Sequence, residues 1–122
     1  MTLTRIIAAL TASGFDASAF DACSMVYFDG IEHKETCEAV KVYTETPHTL
    51  REFMRRRPLY SCEMRAIMPD GLTVFHIMRK DDKTRIDAAT ATAAKFQTAF
   101  WIAIHKGKTQ AEAVEAGKRA IA

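Results

Sequence analysis

The pattern of apolar and polar positions is most regular between Thr84 and Lys106, T-R-I-D-A-A-T-A-T-A-A-K-F-Q-T-A-F-W-I-A-I-H-K. Ile86, Ala89, Ala93, Phe96, Phe100 and Ala103 recur at steps of three and four, which places them on one stripe of a helix. Thr84 with Asp87 offers a capping pair, Asp81 and Asp82 put negative charge at the positive end of the dipole, and Gly107 can take a left-handed stop. Toward its end the helix loses its polar side, because Ala99-Phe100-Trp101-Ile102-Ala103-Ile104 is apolar all round. Such a stretch predicts burial on every flank, by a sheet, by other helices or by a second subunit.

The other elements follow from shorter patterns. Leu3, Ile6, Ile7 and Leu10 describe a short amphipathic helix ending at Gly14. Phe15 to Cys23 reads as a turn, or one helical turn, that pins Phe15 and Phe20. Ser24 to Phe28 is a strand, Asp29-Gly30 a hairpin turn, and the return strand begins at Ile31 and is clearest over Ala39 to Tyr43. Whether the return is one bent strand or two stays open. A helix starts near Pro47-His48-Thr49, with Thr49 and Glu52 as a capping box, and stops at Pro58 after Arg57. A second hairpin runs Leu59 to Met68 and Leu72 to Lys80 around Pro69-Asp70-Gly71.

A three-residue turn there gathers Cys62, Met64, Ala66, Met68, Leu72, Val74, His76 and Met78 on one face. A two-residue turn instead brings Glu63, Arg65 and His76 together. The first separates apolar from polar more cleanly and is preferred. Thr109 and Glu112 form a further capping box, opening a helix to about Ile121 whose Ala113, Val114, Gly117, Ala120 and Ile121 fold back on the long helix, with Glu115 and Arg119 as an i,i+4 pair. The sum is an α+β fold: one antiparallel sheet of about four strands from two hairpins, covered by helices, with a long helix near the C-terminus and a short antiparallel helix after it. Residues 1–122 are expected to form a single globular domain.

Composition narrows the class. Hydrophobic residues make up 48% and charged residues 26%, which suits a folded domain, and no apolar run reaches the ~20 residues of a bilayer span. The N-terminal apolar run is broken by Thr11 and Ser13, and Arg5 is its only basic residue, so a helix explains it better than an export signal; the expected location is cytoplasmic. Cys23, Cys37 and Cys62 are odd in number and scattered, which predicts reduced thiols. Cys23, His33, Cys37 and Cys62 could supply four zinc ligands, but without the close ligand pairs of structural zinc sites no metal or other cofactor is expected.

Charge supplies the functional hint. Residues 1–50 carry three basic and seven acidic side chains, whereas residues 51–85 carry nine basic and five acidic. Arg51, Arg55, Arg56 and Arg57 on one short helix, with Arg65 on the next strand, are the candidate binding residues for an acidic protein surface or for phosphates, with Tyr60 as a stacking surface. A solvated helix face is the plainer account. No G-x-S-x-G, phosphate loop, H-E-x-x-H or C-x-x-C is present, so catalysis is unsupported, and an acid/base site near Glu63 and His76 ranks last. The expected function is a small non-catalytic interaction protein, an adaptor or stoichiometric inhibitor, followed by nucleic-acid binding through the same arginines. Homodimerisation through Trp101 is a further possibility.

Overall fold

Side chains alternate across a strand, so the register between strands decides which residues share a face. In the computed structural model, which describes residues 2–28 and 31–122 with the side chains at 27, 28 and 31 excepted, the elements run α1 Leu3–Ala12, β1 Asp16–Phe28, β2 Ile31–Thr44, α2 Pro47–Arg55, β3 Tyr60–Ile67, β4 Thr73–Arg79, α3 Lys80–His105 and α4 Gln110–Ile121. The four strands form one sheet in the order β1-β2-β4-β3, antiparallel, with β4 paired to both β2 and β3. This is the α+β arrangement that the patterning predicts. The Asp29-Gly30 turn lies outside the described residues.

Several boundaries differ from expectation. Phe15 to Cys23 is not a turn: β1 already begins at Asp16, after Gly14 takes φ +89° at the end of α1. Ala17 packs against the core and Ala22 is buried, although five residues apart they fall on opposite faces of a regular strand. β2 is one continuous strand. Helix α2 starts at Pro47 rather than after Thr49, with Thr46 as its N-cap, and ends at Arg55. Thr44 Oγ1 accepts from the Thr46 amide at 2.9 Å, shaping the entry, while Glu52 pairs with Arg55 at 2.9 Å instead of closing a capping box. Helix α3 follows β4 directly at Lys80, upstream of Thr84, and keeps Asp81 and Asp82 in its first turn.

The second hairpin combines both registers weighed from the sequence. Near the turn, Ile67 faces Thr73 and Ala66 faces Val74, as a three-residue turn requires; Gly71 has φ +89° and Asp70 Oδ1 accepts from the Leu72 amide at 3.0 Å. A bulge between Met64 and Ala66 then shifts the pairing, so that Met64 faces Phe75, Glu63 faces His76 and Cys62 faces Ile77. The preferred face assignment therefore fails beyond the bulge. Glu63 and His76 share a face, and Cys62 and Met64 lie on the other.

Packing divides the chain into two compact units, Met1–Ala22 with Cys37–Lys83, and Cys23–Thr36 with Thr84–Ala122. In the first, Ile6 and Leu10 of α1 and Leu50 and Met54 of α2 pack with Val40, Val42, Phe75, Ile77 and Tyr60 of the sheet. In the second, Val26 packs with Ala93 and Phe96, and Phe100, Val114 and Ile121 close around them. Thr90 Oγ1 donates to Ser24 Oγ at 2.8 Å, and Arg85 reaches both the Glu35 carboxylate and, at 2.8 Å, the Thr36 carbonyl. Gly117 lets α4 approach α3 closely: a Cβ there would stand 2.6 Å from the Phe96 ring.

The turn between α3 and α4 is fixed by its caps. Gly107 takes φ +82°, its amide bonds the Ile104 carbonyl at 3.0 Å, and the Lys108 amide bonds that of Ala103 at 3.1 Å, a Schellman motif. The predicted Thr109–Glu112 capping box is present in both directions. Glu115 pairs with Lys118 at 3.2 Å rather than with Arg119.

Candidate interaction surfaces

The arginines of α2 are the first candidate. Arg55 is exposed but tied to Glu52. The Arg51 guanidinium lies over the Phe75 ring, 5.5 Å from its centroid. Arg57 lies 3.8 Å over the Phe53 ring, donates to the Phe53 carbonyl at 2.7 Å and is half-buried, so it serves the domain's own packing. Arg56 is exposed at a surface hollow of about 600 Å³ that Phe15, Thr49 and Phe53 also line. Arg65 belongs to the bulge on β3 and pairs with Glu63 at 3.1 Å. Tyr60 is buried in the core and offers no stacking face. The four arginines between positions 51 and 57 thus sit in four different surroundings.

The second candidate is the row Lys41, His76, Glu63, paired strand to strand across β2, β4 and β3. Phe20 stacks at a tilt on His76, centroids 4.5 Å apart, and Lys41 Nζ stands 5.1 Å from the Phe20 centroid. Glu63 is held between Lys83 at 2.6 Å and Arg65 at 3.1 Å. The Lys83 hydrogen bond, with the charges of Lys83 and Arg65, keeps its carboxyl below the usual range. Burial, then the charges of Arg65 and Lys41, push His76 below its ordinary value, with Glu63 opposing. A neutral imidazole beside a carboxylate locked in ion pairs gives a stable polar row. Tyr60 lies on the opposite face from Glu63 and His76. The nearby Cys62 thiol is pushed up to about 11 by burial, against the charge of Arg51, which leaves it protonated and unreactive.

The third candidate is the outer side of α3. Trp101 and Ile102, expected to be buried, are 56% and 50% exposed on α3. The reason is geometric: the stripe through Phe96 and Ala103 faces inward, which turns Trp101 and Ile102 outward on the same helix. Beside them, α3 and α4 enclose a cleft of about 680 Å³. Ala99, Ala103, Ala111 and Ala116 give it a floor of small apolar side chains, Ile102 stands on its wall, and Lys106, Lys108 and Arg119 lie along its edge. A second hollow of about 460 Å³ on the far side of Ile102 is lined by Ala94, Thr98, Trp101 and His105.

Among the described residues no helix is long and apolar enough to cross a membrane, and no cluster of three or more His, Cys, Asp or Glu side chains could hold a metal ion. Cys23 is exposed, Cys37 buried and Cys62 half-buried, so the four-ligand zinc set does not gather. No protein-family model, no curated protein and no solved structure matches this chain.

Proposed function

We propose that this chain is a non-catalytic interaction protein, of the adaptor or stoichiometric-inhibitor kind, and that its principal contact surface is the outer side of α3 with the α3–α4 cleft. The observation that carries the reading is the exposure of Trp101 and Ile102 side by side on α3, with Ile102 also lining an apolar-floored cleft. Large apolar side chains grouped on a surface mark sites that a partner covers, and tryptophan is enriched among the residues that dominate binding energy. The arginines predicted to bind lend less support, since Arg51 and Arg57 lie over aromatic rings and Arg55 and Arg65 are paired. The location is proposed to be cytoplasmic, on the odd number and scattered placing of the cysteines.

The reading is tested by immobilising the chain and comparing what it retains from a host extract. Trp101→Ser with Ile102→Ser is expected to abolish retention, while Arg55→Ala with Arg56→Ala leaves it intact. The reverse result would move the contact to α2. Nucleic-acid binding is the second reading, favoured by the exposure of Arg51, Arg55 and Arg56 on one helix. It predicts retention on nucleic acid that falls steeply with salt and is lost on the arginine double substitution.

A further inference from the structure

The α3–α4 cleft is built from one stripe of each helix. On α3 the residues lining it are Ala99, Ile102, Ala103 and Lys106, at i, i+3, i+4 and i+7. On α4, Glu112, Glu115, Ala116 and Arg119 repeat the same spacing. Two helices that offer small residues in register along a shared hollow leave room for a third to lie between them, because alanine floors let helix backbones approach closely. The α4 stripe from Ala111 to Arg119 spans roughly 12 Å, a little over two helical turns.

Charge selects the partner. Both carboxylates on the edge are already engaged within α4. Glu112 accepts from the Thr109 amide at 3.0 Å, and Glu115 pairs with Lys118. The cations Lys106 and Arg119 form no ion pair among the described residues, and Lys108 sits near Glu112. The edge therefore presents positive charge beside an apolar floor. A second copy docked by this same face would set its own Lys106, Lys108 and Arg119 against these, an unfavourable like-charge contact in a self-complementary interface. Nucleic acid would match the charge and leave the alanine floor and Ile102 uncovered.

Resting on the reading of this face as the contact surface, we propose that the cleft receives an acidic amphipathic helix of a partner protein. Its larger apolar side chains fill the space above Ala99, Ala103, Ala111 and Ala116, its carboxylates meet Lys106, Lys108 and Arg119, and its flank covers Trp101.

Trp101 is the chain's single tryptophan and gives the readout. The probes are three synthetic helical peptides of about 14 residues, or four turns, free of Trp and Tyr. One carries a leucine face flanked by glutamates, one has lysines in place of the glutamates, and one scrambles the first. Titrated into the full chain, the glutamate peptide is expected to shift Trp101 emission to the blue and to bind at least about tenfold tighter than either control. Lys106→Glu with Arg119→Glu, two exposed positions, should reverse the preference while the far-ultraviolet spectrum stays unchanged. Equal binding of the lysine peptide would overturn the acidic partner and leave the surface standing. No binding at about 1 mM, with host retention still lost on Trp101→Ser and Ile102→Ser, would overturn the helical occupant alone. A blue shift driven by chain concentration would point to a second copy, and one driven by a short RNA or DNA duplex to nucleic acid; either would overturn the proposal.

Discussion

In the unit formed by Met1–Ala22 and Cys37–Lys83, the most deeply buried side chains are Phe75, Ile6, Leu10, Leu50, Ile77, Val40 and Val42. In the unit formed by Cys23–Thr36 and Thr84–Ala122, the buried positions are mainly small, Ala93, Ala103, Ala113 and Gly117, with Phe96, Val26 and Ile86 as the larger ones. The first unit places α1 and α2 against sheet residues of full size and closes over them. The second relies on close helix approach and leaves Trp101 and Ile102 outside. Both regions also leave large apolar side chains in the open, Leu59, Met64, Ile67 and Met68 in the first and Met25, Trp101 and Ile102 in the second, so the contrast lies in the size of what is buried.

The sharpest way to break this contrast is truncation. Phe75→Ala removes a fully buried ring and is expected to cost about 3–5 kcal/mol in denaturant unfolding. Phe96→Ala should cost less, because Phe100, Val114 and Ile121 around it are only partly buried and can settle into the space. Equal losses would mean that the second unit is packed as tightly as the first.

Gly117→Ala tests close approach itself. The added methyl collides with the Phe96 ring, and a net loss of about 1–2 kcal/mol is expected despite the better helix propensity of alanine. Combining it with Phe96→Leu should recover part of that loss, a coupling a double-mutant cycle measures. Thr109→Ala removes the α4 cap and should cost about 1 kcal/mol.

A smaller effect separates the units by pH. The fold holds His76 below its ordinary 6.5, so the unfolded chain takes the proton first. The stability it contributes is complete above pH 6.5 and is lost as pH falls through the folded value. Glu63, held below its ordinary 4.5, acts in the same direction at lower pH. Melting temperature should therefore decline on acidification from pH 6.5, and His76→Gln should flatten the first part of that decline. Both groups belong to the first unit. An unchanged slope in the variant would remove the polar row from the account.

How much of this could be read from residues alone depended on whether a local rule decided the outcome. The Thr109–Glu112 box and the Gly107 stop follow from local hydrogen bonding, and both are present as expected. The inward stripe of α3 came from its periodicity, with Ile86, Ala93, Phe96 and Ala103 buried. The first half of β1 was missed because alanine, serine and aspartate have weak strand preference, and cross-strand neighbours decide their state. That Arg51 and Arg57 lie over aromatic rings was not legible, because a ring under a guanidinium is a tertiary fact. The bulge at Arg65 left no local signature, although it decides that Glu63 and His76 share a face. The bare flank of Trp101 was hidden for a similar reason. Sequence shows that a helix is apolar all round, and only the number of elements around it shows which side goes uncovered.

The smallest stability effect is expected at that flank: Trp101→Ser with Ile102→Ser should change unfolding free energy by less than about 0.5 kcal/mol each. The most direct test of the account is collisional quenching of Trp101 in the isolated chain. Emission typical of a water-exposed indole is predicted, quenched by iodide and by caesium alike, and independent of chain concentration. Blue-shifted emission protected from both ions in the dilute monomer would place Trp101 in the interior and remove the proposed contact surface.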